Sequence, residues 1–179
     1  MPRIAGINKN DIGGEILPII TRGLYRDPLD AIREYIQNAI DAKAKEVDLH
    51  LSRDIVVVSD DGVGMTETIA RDAIRLGLSE KDSTHDIGFR GIGIYSSFEL
   101  CDELEIYTKH SESSLGFILR FDFSGMRKRL AEDEERKKKG EEKIYYLEKL
   151  LRETVTATEN KSEATDAHGT KVFIKGIRS

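Results

Sequence analysis

From Pro28 to about Ala44, apolar residues return at helical spacing, and Leu29, Ile32, Tyr35, Ile36, Ala39, Ile40 and Ala42 share one broad face. The start carries its own signal. Asp27 can cap, Pro28 suits the first helical position, and Asp30 can answer Asp27 across the first turn. Glu34, Asn38 and Asp41 fall on the opposite side, four and three residues apart. A solvated face favours Glu-to-Lys pairs at that spacing. Here Asp30 and Glu34 are like charges four apart, and an amide follows Glu34. The stretch alone fits either a polar outer face or a wet pocket that receives an acid and an amide.

Other patterns fill in the chain. Residues 1–14 read as irregular, and Glu15–Tyr25 as a short helix with Pro18 near its start. Glu46–Ser52 alternates as a half-buried strand. Ile55–Val58 is a β-branched run, and only Arg53-Asp54 separates the two, which predicts a hairpin. Thr66–Leu76 reads as a helix capped by Thr66, and Gly77–Gly88 as an aperiodic polar loop of lid type. Ile94–Leu100 is predicted helical; Leu104–Thr108, Leu115–Phe123, Thr154–Thr158 and Gly169–Ile174 are predicted strands. Between Gly125 and Arg152 the chain is heavily charged, with apolar spacing returning at Ile144, Leu147, Leu150 and Leu151. This predicts a solvated helix, or two broken at Gly140, docked by the later part.

The whole chain has 179 residues, enough for one domain with a sizeable core. Its net charge of -5 argues against a nucleic-acid footprint over the whole surface. The single cysteine, Cys101, excludes an internal disulfide framework and fits a reducing compartment. No signal pattern and no apolar run of membrane-spanning length occurs, so a cytoplasmic protein without membrane contact is expected.

Two glycine-containing loops carry candidate chemistry. Ser59-Asp60-Asp61-Gly62-Val63-Gly64-Met65 follows a strand: it is an ordinary turn, or a ligand loop with a carboxylate beside two glycines. Gly88-Phe89-Arg90-Gly91-Ile92-Gly93 opens the next helix, and free amides at a helix start suit a phosphate. Its G-x-x-G-x-G spacing is neither the dinucleotide fingerprint nor a Walker loop.

Taken in order, E-x-x-x-N-x-x-D-A, D-x-G-x-G-M, a polar lid, G-x-x-G-x-G and a late Gly169-Thr170 resemble the superfamily of gyrase B, the ninety-kilodalton heat-shock chaperone, histidine kinase and MutL (GHKL). Ile92–Phe98 looks most like the chaperone branch and Gly88–Gly91 like MutL, and the charged segment suggests a separate, chaperone-like or MORC-like member. The resemblance implies the Bergerat fold: an α/β (α+β) two-layer sandwich, with a mixed, mostly antiparallel sheet, helices on one face and a lid. The resemblance runs from about residue 15 to the end, less the charged segment 125–153, which reads as an insertion, and implies one ATP-binding domain over 1–179.

It also implies roles. Glu34 would orient and deprotonate the attacking water. Asn38 would hold Mg²⁺. Asp60 would accept the adenine amino group, supported by Thr170. Gly62, Gly64 and Met65, with Ala42, would line the base pocket, and Asp41 would steady its polar network. Gly88, Phe89, Arg90, Gly91, Ile92 and Gly93 would hold phosphates under a lid of Ser79–Arg90, with Arg90 or Lys81 as a phosphate contact. The implied ligands are ATP or ADP with Mg²⁺, and the implied activity is slow ATP hydrolysis that drives conformational change. A homodimer would form through the full-length protein, with client and nucleic acid unspecified.

Two alternatives stay open: a histidine-kinase-type phosphotransfer domain and a non-hydrolysing nucleotide module. Relatives of this kind receive a lysine or arginine from a following domain. The end at Ser179, just past the last predicted strand, is read as a cut before such a domain.

Overall fold

The hairpin predicted at Arg53-Asp54 forms, and it starts the sheet. Strands β1 (Val47–Leu51) and β2 (Ile55–Asp60) pair antiparallel. The computed structural model describes residues 13–25, 27–74, 92–160 and 167–178. The residues up to 12 of the stretch read as irregular, the whole lid and the loop at 161–166 lie outside these residues. So do Gly88, Phe89, Arg90 and Gly91, along with Lys81 and His85.

The remaining strands are β3 (Cys101–Lys109), β4 (Gly116–Asp122), β5 (Val155–Asn160) and β6 (Gly169–Ile177). Their order is β1-β2-β6-β3-β4-β5. Every pairing in this sheet is antiparallel, so among the described residues the mixed sheet of the sequence reading is a purely antiparallel one. The last strand, β6, inserts between β2 and β3. That insertion brings Asp60 opposite Thr170 and Thr108 opposite Thr170 in neighbouring registers.

One face of the sheet is the core face. Val56, Val58, Leu104, Ile106, Leu119, Phe121, Val172 and Ile174 are buried there, at every second position along their strands. The helices cover this face: α1 (Ile16–Leu24), α2 (Pro28–Asp41), α3 (Glu67–Ile74), a 3₁₀ helix (Gly93–Ser97), α4 (Phe123–Lys138) and α5 (Leu147–Thr154). Tyr95, Phe98, Phe121 and Phe123 form the aromatic centre, with Tyr95 edge-on to Phe121 at 5.4 Å. None of the described helices is long and apolar enough to cross a membrane.

Three local expectations change. The helix predicted over Ile94–Leu100 is a five-residue 3₁₀ helix whose residues are all buried. The Phe98 and Leu100 amides bond back three residues, to the Tyr95 and Ser97 carbonyls, which keeps the tighter winding up to β3 at Cys101. The strand predicted to run to Phe123 stops at Asp122, because the Asp122 carboxylate accepts the Gly125 amide at 2.7 Å and caps α4. The charged segment is broken after Lys139, near Gly140 as expected, but it docks at both ends. Phe123 and Met126 at the start of α4 are as buried as Leu150 in α5.

The cap of α2 is as the sequence predicts. Asp27 accepts the Leu29 amide at 2.8 Å, and Asp30 accepts the Asp27 amide at 3.2 Å. Its buried face is rotated from the predicted one. Ala31, Tyr35 and Ala39 are buried, whereas Leu29 and Ile40 are 61% and 57% exposed. Two alanines on this line let α2 lie close to the 3₁₀ helix.

Candidate active site

That rotation changes the address of the polar residues. At about 100° per residue, Asn38 lies roughly 60° and Glu34 roughly 100° around α2 from Tyr35, the centre of the buried line. They flank the buried stripe rather than oppose it. Asn38 is exposed and Glu34 is partly buried.

Glu34 is partly buried, and its carboxylate rests against Gly93 at the start of the 3₁₀ helix. A Cβ built on Gly93 would collide with Glu34 Oε1 and stand 3.0 Å from Cδ. Gly93 is therefore the residue that admits the carboxylate. Burial, with a smaller contribution from the Asp41 charge, raises the Glu34 carboxyl above the usual carboxylate range. A cavity of about 260 Å³ opens beside it, lined by Leu24, Tyr25, Asp30, Arg33, Glu34 and Gln37. Burial and the charges of Glu34 and Asp30 push the Tyr25 phenol up to about 12.

Asp60 closes β2. Its Oδ1 accepts the Gly62 amide at 2.9 Å, which turns the chain out of the sheet. Burial raises its carboxyl; the Gly62 and Thr170 amides oppose the shift, and the Asp61 charge adds to it. The turn is tied to α2, because the carbonyl of Ala42, the C-cap, accepts the Val63 amide at 2.9 Å. Gly64 has a φ of 69°, and a Cβ there would overlap the Lys109 carbonyl. Only glycine meets both conditions. A cavity of about 350 Å³ lies at the outer end of this turn, lined by Lys43, Lys45, Asp61, Gly62, Val63, Ala167 and His168, away from Glu34.

Three residues outside the sequence reading also belong here. Thr108, fully buried, accepts the Met65 amide at 2.9 Å and lies 3.2 Å from the Thr170 hydroxyl. Its signal was a hydroxyl on the inward parity of Leu104 and Ile106. His168 places Nδ1 2.6 Å from the Gly62 carbonyl. The Tyr35 hydroxyl donates to the Ile94 carbonyl at 2.9 Å. No pattern along the chain announces the last two.

The structure thus groups Asp60, Gly62, Gly64, Met65 and Thr170 at one end of β2 and β6, and joins Glu34 to Gly93 through α2. Ile92 immediately precedes Gly93, and its carbonyl accepts the Tyr95 amide at 2.9 Å. Asp41 is exposed and accepts a hydrogen bond from Gln37 at 2.9 Å on its own helix.

Residues 25–170 match the model of the family described as histidine kinase-, DNA gyrase B- and HSP90-like ATPase. The chain belongs to this ATPase family. Among curated proteins it is 30% identical to the mitochondrial heat shock protein 75 kDa of Rattus norvegicus, over 67% of this chain and 22% of that protein. It is 30% identical to the DNA mismatch repair protein MutL of Rickettsia prowazekii, over 52% and 17%. To the putative type II restriction enzyme HgiDII of Herpetosiphon aurantiacus it is also 30% identical, over 56% and 18%. The chain thus spans about a fifth of the length of these relatives. A crystal structure of the N-terminal domain of a DNA repair protein superposes with a TM-score of 0.53 at 18% identity. The match covers 90% of this chain and 39% of that one, a likeness of fold. The antiparallel sheet with helices on one face is the α+β fold of the GHKL family, whose general activity is ATP binding and hydrolysis.

Proposed function

We propose that the chain is the nucleotide-binding unit of a longer cytoplasmic protein, and that it binds ATP with Mg²⁺ and hydrolyses it slowly. The observation that carries this reading is the Glu34 carboxylate lying against Gly93. It joins an acid of the α2 flank to the start of the 3₁₀ helix, where backbone amides suit a phosphate.

In this reading the Asp60 carboxylate accepts the adenine amino group, and Thr170 supports it. Gly62, Gly64, Met65 and Ala42 shape the base pocket. Gly88 to Gly93 hold the phosphates. Glu34 takes a proton from water as the water oxygen attacks the γ-phosphorus; the bond to the β–γ bridging oxygen breaks, and ADP and phosphate leave. The exposed Asn38 amide, one helical turn after Glu34, suits a metal that keeps several waters. The described residues hold no cluster of three acidic, histidine or cysteine ligands that would form a protein cage instead. Mg²⁺, when bound, would neutralise phosphate charge. Hydrolysis would drive a conformational change and dimer closure in the full-length protein. The described histidines lie in β1 (His50), after β3 (His110) and before β6 (His168), and none is in a helix.

Calorimetry with Mg·ATP and a phosphate-release assay test the reading. Expected are nucleotide binding in the wild type, and in Glu34→Ala near-normal binding with hydrolysis lost. Absence of adenine-nucleotide binding would sink the whole reading, and unchanged turnover in Glu34→Ala would remove Glu34 from its role.

A further inference from the structure

The side chain next to Glu34 points about 100° around α2 from it, into the core. Tyr35 is 3% exposed and spans the gap between α2 and the 3₁₀ helix. Its hydroxyl donates to the Ile94 carbonyl at 2.9 Å. That bond uses its single proton, so the Ser97 hydroxyl, 2.8 Å away, is the donor to Tyr35. Ser97 is fully buried. The phenol thus ties α2 to both the first and last turns of the 3₁₀ helix, directly behind the contact of Glu34 with Gly93. Burial raises the phenol far above its ordinary value, so it stays neutral and keeps both bonds across the working pH range.

We propose that Tyr35 is a positioning residue for the phosphate site: its two hydrogen bonds fix the separation between the α2 residues Glu34 and Asn38 and the glycine-rich turn at Gly93. The proposal rests on the ATP-site reading above. Asp60 and Thr170 stand on β2 and β6, outside this clamp, and the base pocket meets α2 at its C-cap, Ala42, about two turns beyond Tyr35. Loosening the clamp therefore alters what happens to phosphates and leaves the base alone.

The test uses the full chain and two probes, adenosine and Mg·ADP, by calorimetry. Tyr35→Phe keeps the ring and removes the hydroxyl. Expected are adenosine affinity within about two-fold of wild type and Mg·ADP affinity lower by about ten-fold, on the scale of one or two lost hydrogen bonds. Ser97→Ala removes one arm only, and about a three-fold loss for Mg·ADP is expected on the same scale. It also keeps the test alive if Tyr35→Phe does not fold. A purely structural bond would lower the thermal midpoint and leave the two affinities in their wild-type ratio. That outcome, or unchanged Mg·ADP binding in both variants, overturns the proposal and leaves the ATP-site reading standing. A wild type that binds neither probe overturns both.

Discussion

Thr108 and Thr170, 62 residues apart, face each other across β3 and β6 with their hydroxyls 3.2 Å apart, and Thr108 also accepts the Met65 amide at 2.9 Å. One buried hydroxyl thus links the loop after β2 to the strand that carries Thr170. Thr108→Val keeps the shape and leaves the Met65 amide unmet, which costs about 1–3 kcal/mol. A fall in melting temperature of roughly 3–9 °C is expected for a chain of this size. Adenine-nucleotide affinity should fall with it, read by calorimetry below the transition.

Gly93→Ala places a methyl group where Glu34 lies. The obstructed atoms belong to a side chain with several rotatable bonds, so the carboxylate is displaced and the fold is kept. ATP hydrolysis should drop at least ten-fold, while the circular-dichroism spectrum and melting temperature stay near wild type. Unchanged hydrolysis would show that the contact has no part in turnover.

The raised Glu34 carboxyl has a pH signature. Its ionised form is disfavoured in the folded chain, so the folded state binds that proton more tightly than the unfolded one. The penalty applies above the folded pKa and disappears as pH falls below the unfolded value of 4.5. Glu34→Gln should therefore melt at higher temperature than wild type near pH 7, and the gap should close in acid. If Glu34 is the general base, the acid limb of the hydrolysis profile lies above the ordinary carboxylate value.

Asp133 is buried in the charged segment, where its two oxygens accept the Ile144 amide at 2.8 Å and the Tyr145 amide at 2.7 Å. It folds the strand-like return after Gly140 onto α4. Asp133→Ala strands both amides and should cost about 2–4 kcal/mol, a shift of roughly 5–12 °C. Nucleotide affinity, measured well below the melting point, should be unchanged.

Asp60→Asn tests the base site. The substitution removes the charge and keeps the size. The Gly62 amide keeps an acceptor, so the fold should hold. An amide oriented for Gly62 meets an amino group less well than a carboxylate does. Adenosine affinity should fall about ten-fold, by calorimetry.

Much of this was legible along the chain. The cap at Asp27, the hairpin at Arg53-Asp54 and the strand pattern of β2 are local, set by neighbours within a few residues. The order of the glycine-bearing loops also resembles the GHKL family, and the family match agrees. The 3₁₀ helix is not legible because α and 3₁₀ turns differ in hydrogen-bond spacing, four residues against three, which the few apolar positions between Ile94 and Leu100 do not distinguish. The docking of α4 was missed because Phe123 and Met126 are two apolar residues at the head of a charged run.

What the sequence by itself determined is the angular spacing of side chains: Glu34, Asn38 and Tyr35 hold their relative positions on α2 in any fold that keeps the helix. The absolute rotation of that helix was decided only by the tertiary structure. Periodicity carries no zero of angle; the zero comes from what the helix packs against. Here a buried 3₁₀ helix with glycine at its first residue draws in Ala31, Tyr35 and Ala39, turns Leu29 and Ile40 outward, and brings Glu34 to Gly93.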